Sequence, residues 1–196
     1  MNKSPAKGNY IEIILRSKQT VFSVYDIVLL WGEQAVPAVR VRLNYYVKTG
    51  KLVRIYRGFY AKDDNFDIFE LATKIYTPAY ISFETVLTQS GINFQHYRTI
   101  FVASYINREI AVGDYKIKYI RTKDYVLSNM IGISHESGYS VASPERAFLD
   151  RLYISRDYYL DNPTKLNWSL ILDMVPSYHN QRLAKKVTEY YAALHT

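Results

Sequence analysis

The stretch Val36-Pro-Ala-Val-Arg-Val-Arg-Leu-Asn-Tyr-Tyr-Val-Lys48-Thr-Gly50, followed directly by Lys51-Leu-Val-Arg-Ile-Tyr-Arg-Gly-Phe-Tyr-Ala-Lys62, decides the reading of the first third of the chain. Val36, Val39, Leu43, Tyr46 and Val47 recur at helical spacing, which predicts a helix from about residue 35 to Thr49. Pro37 is tolerated because it falls in the first turn, and Gly50 supplies the stop. The run after Gly50 is β-branched and aromatic and is broken by Arg57-Gly58, the signature of a hairpin with those two residues at its tip.

Two helical segments precede this stretch. Tyr10 to Leu15 places Ile11, Ile14 and Leu15 on one face, and Ser23 with Asp26 three residues on forms a capping box for a helix that closes at Gly32. Three helices, the last two joined by a tight turn, followed by a basic two-stranded wing, predict a winged helix-turn-helix.

Charge follows the same boundary. The chain of 196 residues carries a formal charge of +7 with a pI near 9.3. Residues 1–62 hold 11 Lys/Arg against 3 acids, a net of +8, whereas the rest of the chain nets −1. A local surface for a polyanion is the expectation. On the predicted helix the face opposite the apolar stripe presents Pro37, Ala38, Val41, Arg42, Asn44, Tyr45 and Lys48. Small Pro37 and Ala38 allow close approach to a groove, Arg42 and Asn44 suit base edges, and Val41 suits a thymine methyl. Lys48, Lys51, Arg54 and Arg57 are placed for phosphates. Arg40 lies nearer the core edge, where an ion pair competes with a phosphate contact. Tyr45 can stack, donate to phosphate or pack on protein.

The acidic break Asp63-Asp64-Asn65 predicts a boundary, giving domains 1–64 and 65–196. Beyond it, Asp67 and Ser82 read as helix caps. Segments Thr99–Tyr105, Glu109–Val112 and Tyr115–Arg121 alternate as strands, and Ser143-Pro144-Glu145 opens a helix. Arg146, Asp150 and Arg151 are left to face away from that helix's apolar side. Helices near Trp168–Met174 and Asn180–Leu194 complete an α+β domain with a small antiparallel sheet.

Several function classes lose support. Cys is 0, which removes disulfide frameworks, thiolate metal sites and thiol nucleophiles and fits the reducing cytoplasm. No apolar run reaches the length of a membrane span, and the start of the chain carries no signal-peptide pattern. His96, His135, His179 and His195 share no metal-ligand spacing, and neither a phosphate-cradling Gly-rich loop nor a nucleophile elbow occurs. Asp63, Asp64 and Asp67 can be drawn around Mg²⁺, but acids at a boundary are ordinarily solvated. The expectation is a protein without catalysis, metal or cofactor. The 20 Tyr include neighbouring pairs that cannot all be buried, a modest pointer to a protein partner.

An ordered set of motifs runs from Val21-Phe-Ser-Val-Tyr-Asp-Ile-Val28 through Lys51 to Ala61, Ile68-Phe-Glu-Leu-Ala72 and Ala79-Tyr-Ile-Ser-Phe-Glu-Thr-Val-Leu87 to Ala142-Ser-Pro-Glu-Arg-Ala-Phe-Leu-Asp-Arg-Leu-Tyr153. In this order they resemble the AbiEi family of antitoxins, regulators of viral defence systems. The resemblance covers about residues 8–155 and not the tail after Asn162. It implies a two-domain antitoxin of a type IV toxin–antitoxin system. The winged domain would bind double-stranded DNA at its own operator, and the C-terminal domain would counteract an AbiEii-like nucleotidyltransferase toxin. Arg42, Lys48, Arg54 and Arg57 fall where the family contacts DNA. Ser82, Glu145, Arg146 and Asp150 match its C-terminal signature, in a structural role at least as often as a functional one. The alternative is a winged-helix transcription factor whose C-terminal domain senses a ligand or another protein. No heptad or dimer helix is visible, so the oligomeric state stays open.

Overall fold

Trp31 organises the first part of the chain. It is fully buried, its indole Nε1–H donates to the Tyr10 carbonyl at 2.9 Å, and it meets Tyr10 and Tyr46 edge to face. These contacts join three helices, α1 (Tyr10–Arg16), α2 (Val24–Trp31) and α3 (Val36–Lys48). The computed structural model describes residues 10–95, 98–136, 138–155 and 157–194.

Helix α2 starts at a complete capping box, Ser23 with Asp26, and ends at Gly32 in the left-handed conformation, φ 62°. That turn sends the chain into α3, where Val39, Leu43 and Tyr46 bury one face against Ile14, Ile27 and Trp31. Strands β1 (Val21–Ser23), β2 (Val53–Tyr56) and β3 (Phe59–Ala61) form an antiparallel sheet in the order β1-β3-β2. The hairpin turns at Arg57-Gly58, where Gly58 takes φ 81°. Strand β1 went unread in the sequence because three residues are too few to show alternation.

The chain divides into two compact units, Met1–Leu71 and Ala72–Thr196. The division falls inside α4 (Ile68–Ile75), seven residues beyond the expected boundary. The cause is Glu70, fully buried, whose Oε2 accepts from Thr20 N at 2.8 Å, Thr20 Oγ1 at 2.6 Å and Val21 N at 3.2 Å. Thr20 Oγ1 in turn accepts from Asp67 N at 2.9 Å. These bonds hold the start of α4 to the first unit, and Asp67 Oδ1 caps it by accepting from Phe69 N at 2.8 Å.

The second unit is mixed α/β. Strands β4 (Ala79–Ile81), β5 (Thr99–Ser104), β6 (Arg108–Val112), β7 (Tyr115–Arg121), β8 (Ile133–His135) and β9 (Ser140–Ala142) make one six-stranded sheet in the order β6-β7-β5-β4-β9-β8. The sheet is not the small antiparallel one expected, because β5 pairs parallel with β7 and β4 parallel with β9. Three of its strands have three residues each, below the length at which a period of two can be read. Helices α5 (Glu84–Gln89), α6 (Asp124–Leu127), α7 (Pro144–Ile154), α8 (Trp168–Met174) and α9 (Gln181–Leu194) complete the unit. No helix among the described residues is long and apolar enough to cross a membrane.

Candidate nucleic-acid interface

Burying Val39, Leu43 and Tyr46 turns the opposite side of α3 outward. Pro37, Ala38, Arg40, Val41, Asn44, Tyr45 and Lys48 are all exposed. Residues 37, 41, 44, 45 and 48 fall on one stripe, as the 3.6-residue period requires. Val41 at 71% and Tyr45 at 57% exposure are apolar bodies presented to solvent without cover. Lys51, Arg54 and Arg57 are likewise exposed on the connection and hairpin that follow. No acidic residue lies between Val36 and Lys62 to neutralise them.

Two assignments change. Arg42 is half-buried, with its guanidinium carbon 3.8 Å from the Tyr10 ring centroid and 5.5 Å from that of Trp31. It also makes an ion pair with Glu33 at 3.7 Å. It therefore lies over the aromatic core that joins the three helices, and base reading is not a role its position favours. Arg40, placed by sequence at the core edge, is exposed and stands with the outward residues. One position on a helix turns the side chain by 100°, so a small error in helix phase exchanges the two arginines.

The C-terminal signature residues converge, but inside the protein. Arg146 and Asp150 are each only 1% exposed. Arg146 Nε donates to Asp150 Oδ1 at 3.1 Å. Its Nη1 reaches the Asn129 and Ile131 carbonyls at 3.1 and 2.9 Å, and its Nη2 reaches Tyr80 Oη and the Val126 carbonyl at 2.8 and 2.7 Å. All five N–H donors are thereby used. Asp150 also accepts from Tyr80 at 3.0 Å, Ser82 Oγ at 2.8 Å and Tyr178 at 2.7 Å. Burial alone would lower the Arg146 pKa, but Asp150 first, then Tyr178 and Tyr80, hold it above its ordinary value. Burial, and then the Asp150 carboxylate, push the Tyr80 and Tyr178 hydroxyls well above theirs. Arg146 is therefore charged and the two tyrosines neutral near neutral pH, and the cluster is a fully satisfied buried network.

Ser82 is thus a partner of Asp150 and not a helix cap. The chain stays extended through Ser82, whose N–H donates to the Phe101 carbonyl at 3.1 Å. It turns at Phe83 with φ 55°, and α5 starts one residue later than expected. Glu145 is buried at the start of α7 and accepts from Asn167 N at 3.1 Å. Arg146 and Asp150, expected to face away from the core, lie within it. Glu145 through Asp150 are buried without a break, so α7 has no solvent side over that length. Tyr80, Tyr178 and Gly132 went unsingled in the sequence; the last packs so closely that a Cβ would lie 2.9 Å from Arg146 Cβ. The one available signal was the i, i+4 Arg/Asp pair in a helix with apolar residues on every side.

Asp67 serves as a cap, as described, and among the described residues no cluster of His, Cys, Asp or Glu has the makings of a metal site. His96 and His195 lie outside the described residues.

No protein-family model matches the chain, and no curated protein matches it. Among solved structures, the chain is similar to the RV2827C protein from Mycobacterium tuberculosis, with a TM-score of 0.47 and 9% identity over 96% of this chain and 73% of that one.

Proposed function

We propose that residues 10–71 are a winged helix-turn-helix that binds double-stranded DNA, with α3 as the recognition helix and the β2–β3 hairpin as the wing. The observation that carries this reading is the open side of α3. Small, polar and cationic residues stand exposed there together, continuing into Lys51, Arg54 and Arg57 with no acid among them. Pro37 and Ala38 let the start of the helix approach a major groove, Asn44 suits an adenine edge, and Val41 suits a thymine methyl. Arg40, Lys48, Lys51, Arg54 and Arg57 serve the backbone, and each phosphate contact contributes roughly −0.9 to the log–log salt slope. Arg42 supports this surface from beneath by clamping α3 to Tyr10.

The resemblance to AbiEi antitoxins extends the proposal to a cytoplasmic regulator that represses its own operon and counteracts an AbiEii-like nucleotidyltransferase toxin. It has no catalysis of its own. Within that reading, Ser82, Glu145, Arg146 and Asp150 act by holding the second unit together, since none of them is accessible to a partner.

The test is fluorescence anisotropy with the duplex upstream of the gene beside a scrambled duplex of equal length, titrated from low to physiological salt. A specificity ratio above about 10³ at physiological salt is expected. Equal affinity for both duplexes refutes operator binding. Co-expression with an adjacent nucleotidyltransferase gene tests the antitoxin role: rescue of growth is expected, and continued toxicity refutes it.

A further inference from the structure

Strands β5 and β7 run parallel, so their carboxyl ends, Ser104 and Arg121, finish side by side. From these ends the chain leaves β5 toward β6 and β7 toward α6. An open cavity of about 740 Å³ lies here, lined by Asn107, Arg121, Lys123, Tyr125, Tyr153 and Asn180, with Thr122 and Asp124. Its volume is that of a small-molecule site. No aliphatic side chain lines it, which separates it from an apolar docking groove.

Among the described residues the lining's cationic and amide donors are free and its two amide carbonyls are engaged. Asn107 Oδ1 accepts from Arg121 N at 2.7 Å, and Asn180 Oδ1 accepts from Leu183 N at 3.0 Å at the start of α9. Each amide therefore has its carbonyl engaged and its NH₂ left over. Among the described residues the Arg121 guanidinium makes no hydrogen bond or ion pair, and the Lys123 ammonium touches only the Tyr125 ring face, at 5.8 Å. Two cations and two amide donors thus meet a single acid, Asp124. Acceptors are gathered elsewhere on the lining. Tyr125 donates to the Tyr178 carbonyl at 3.2 Å, so Tyr153 supplies the proton of the 3.0 Å Tyr125–Tyr153 contact and keeps its lone pairs. Burial, then the bond to Tyr125, push the Tyr153 hydroxyl up to about 12, and it stays neutral at physiological pH.

We propose that this cavity binds a small phosphorylated ligand of nucleotide size, its phosphate taken by Arg121, Lys123 and the two amides and its hydroxyls turned to Tyr153 and Asp124. The assignment is independent of DNA binding by the first unit. Arg supplies a planar fork that fits two phosphate oxygens, Lys adds charge, and the amides add direction.

The experiment is isothermal titration of the full chain at physiological salt with the four nucleoside monophosphates, glucose 6-phosphate and inorganic phosphate, and with adenosine as the uncharged control. At least one ester is expected to bind with a Kd below about 1 mM, with adenosine silent. Arg121→Ala is expected to weaken that binding about tenfold or more at an unchanged melting temperature, while Arg57→Ala leaves it as it was. Failure of every ester to saturate below about 10 mM overturns the proposal. So does an unchanged affinity in Arg121→Ala, or loss of binding in Arg57→Ala, which would move the anion to the basic first third. Inorganic phosphate binding as tightly as every ester overturns the assignment to an organic ligand.

Discussion

Helices α3 and α7 each carry two arginines and other polar side chains, and they use them in opposite ways. Along α3, Arg40 and Lys48 stand in water, Arg42 lies over the Tyr10 ring, and the core is reached through Val39, Leu43 and Tyr46. Along α7, Arg146 and Asp150 are part of the core, bonded there to Tyr80, Ser82 and Tyr178. The difference teaches that a charged residue is read by what flanks it on every side of its helix, not by its charge. A helix with one polar side leaves its cations available to a partner. A helix with none must satisfy them internally, and a residue so satisfied has nothing left to offer a ligand.

Variants in the two helices separate stability from binding. The largest effect is expected from Asp150→Ala, which leaves Arg146 buried without its counter-charge; a loss of about 3–5 kcal/mol is expected in urea unfolding, and a loss below about 1 kcal/mol would mean that the network is not a stabilising core. Gly132→Ala follows. Its Cβ would meet Arg146 Cβ at 2.9 Å and Met174 Sδ at 3.0 Å at a φ of 73°, and overpacking of this kind costs about 1–3 kcal/mol. The same melts read out the consequence.

Alkaline titration probes the network without a new cavity. Tyr80 and Tyr178 have pKa values raised above the ordinary 10.0 in the folded state. Their contribution is complete below pH about 10 and is lost as pH rises past that value, because the unfolded chain ionises first. The slope is up to about 1.4 kcal/mol per pH unit for each such group. Tyr178→Phe keeps the ring and removes one ionisation, so its stability should fall less steeply between pH 10 and 12 than the parent's; parallel curves would contradict this origin.

On α3 and the hairpin after it the expected effects on stability are smaller. Arg42→Ala should cost about 0.5–1 kcal/mol through the lost contact with Tyr10 and leave base preference intact; a relaxed preference would return Arg42 to the groove. Arg57→Ala should change stability by less than about 0.5 kcal/mol. It should weaken all duplexes alike and reduce the salt slope by about 1. A difference between specific and scrambled duplexes would show that the hairpin reads bases.

The sequence was most legible where one face alternated cleanly with another. The Ser23–Asp26 capping box, the Gly32 turn, the stripe of α3 and the Arg57-Gly58 turn all follow from short-range chemistry, and they lie where the periodicity puts them. It was least legible where three-residue strands are held by partners distant in the chain, as with β4 between β5 and β9. The outward residues of α3 could be read from the wheel, apart from the exchange of Arg40 and Arg42. The surroundings of Arg146 could not, because three of its acceptors are backbone carbonyls at positions 126, 129 and 131, and carbonyls carry no residue signature.

Tyr178 lies in the tail beyond Asn162, which resembles nothing in the AbiEi pattern, yet it donates to Asp150. The Arg146–Asp150 network is complete only when β4, the 126–131 segment, α7 and that tail have all arrived. A partly assembled network leaves a buried ion short of partners and is worse than none. The second unit should therefore behave as one cooperative foldon, its slowest-exchanging amides from Tyr80 to Tyr178 opening together in native-state hydrogen exchange. Intermediates in which the tail alone has peeled away should be too sparsely populated to see.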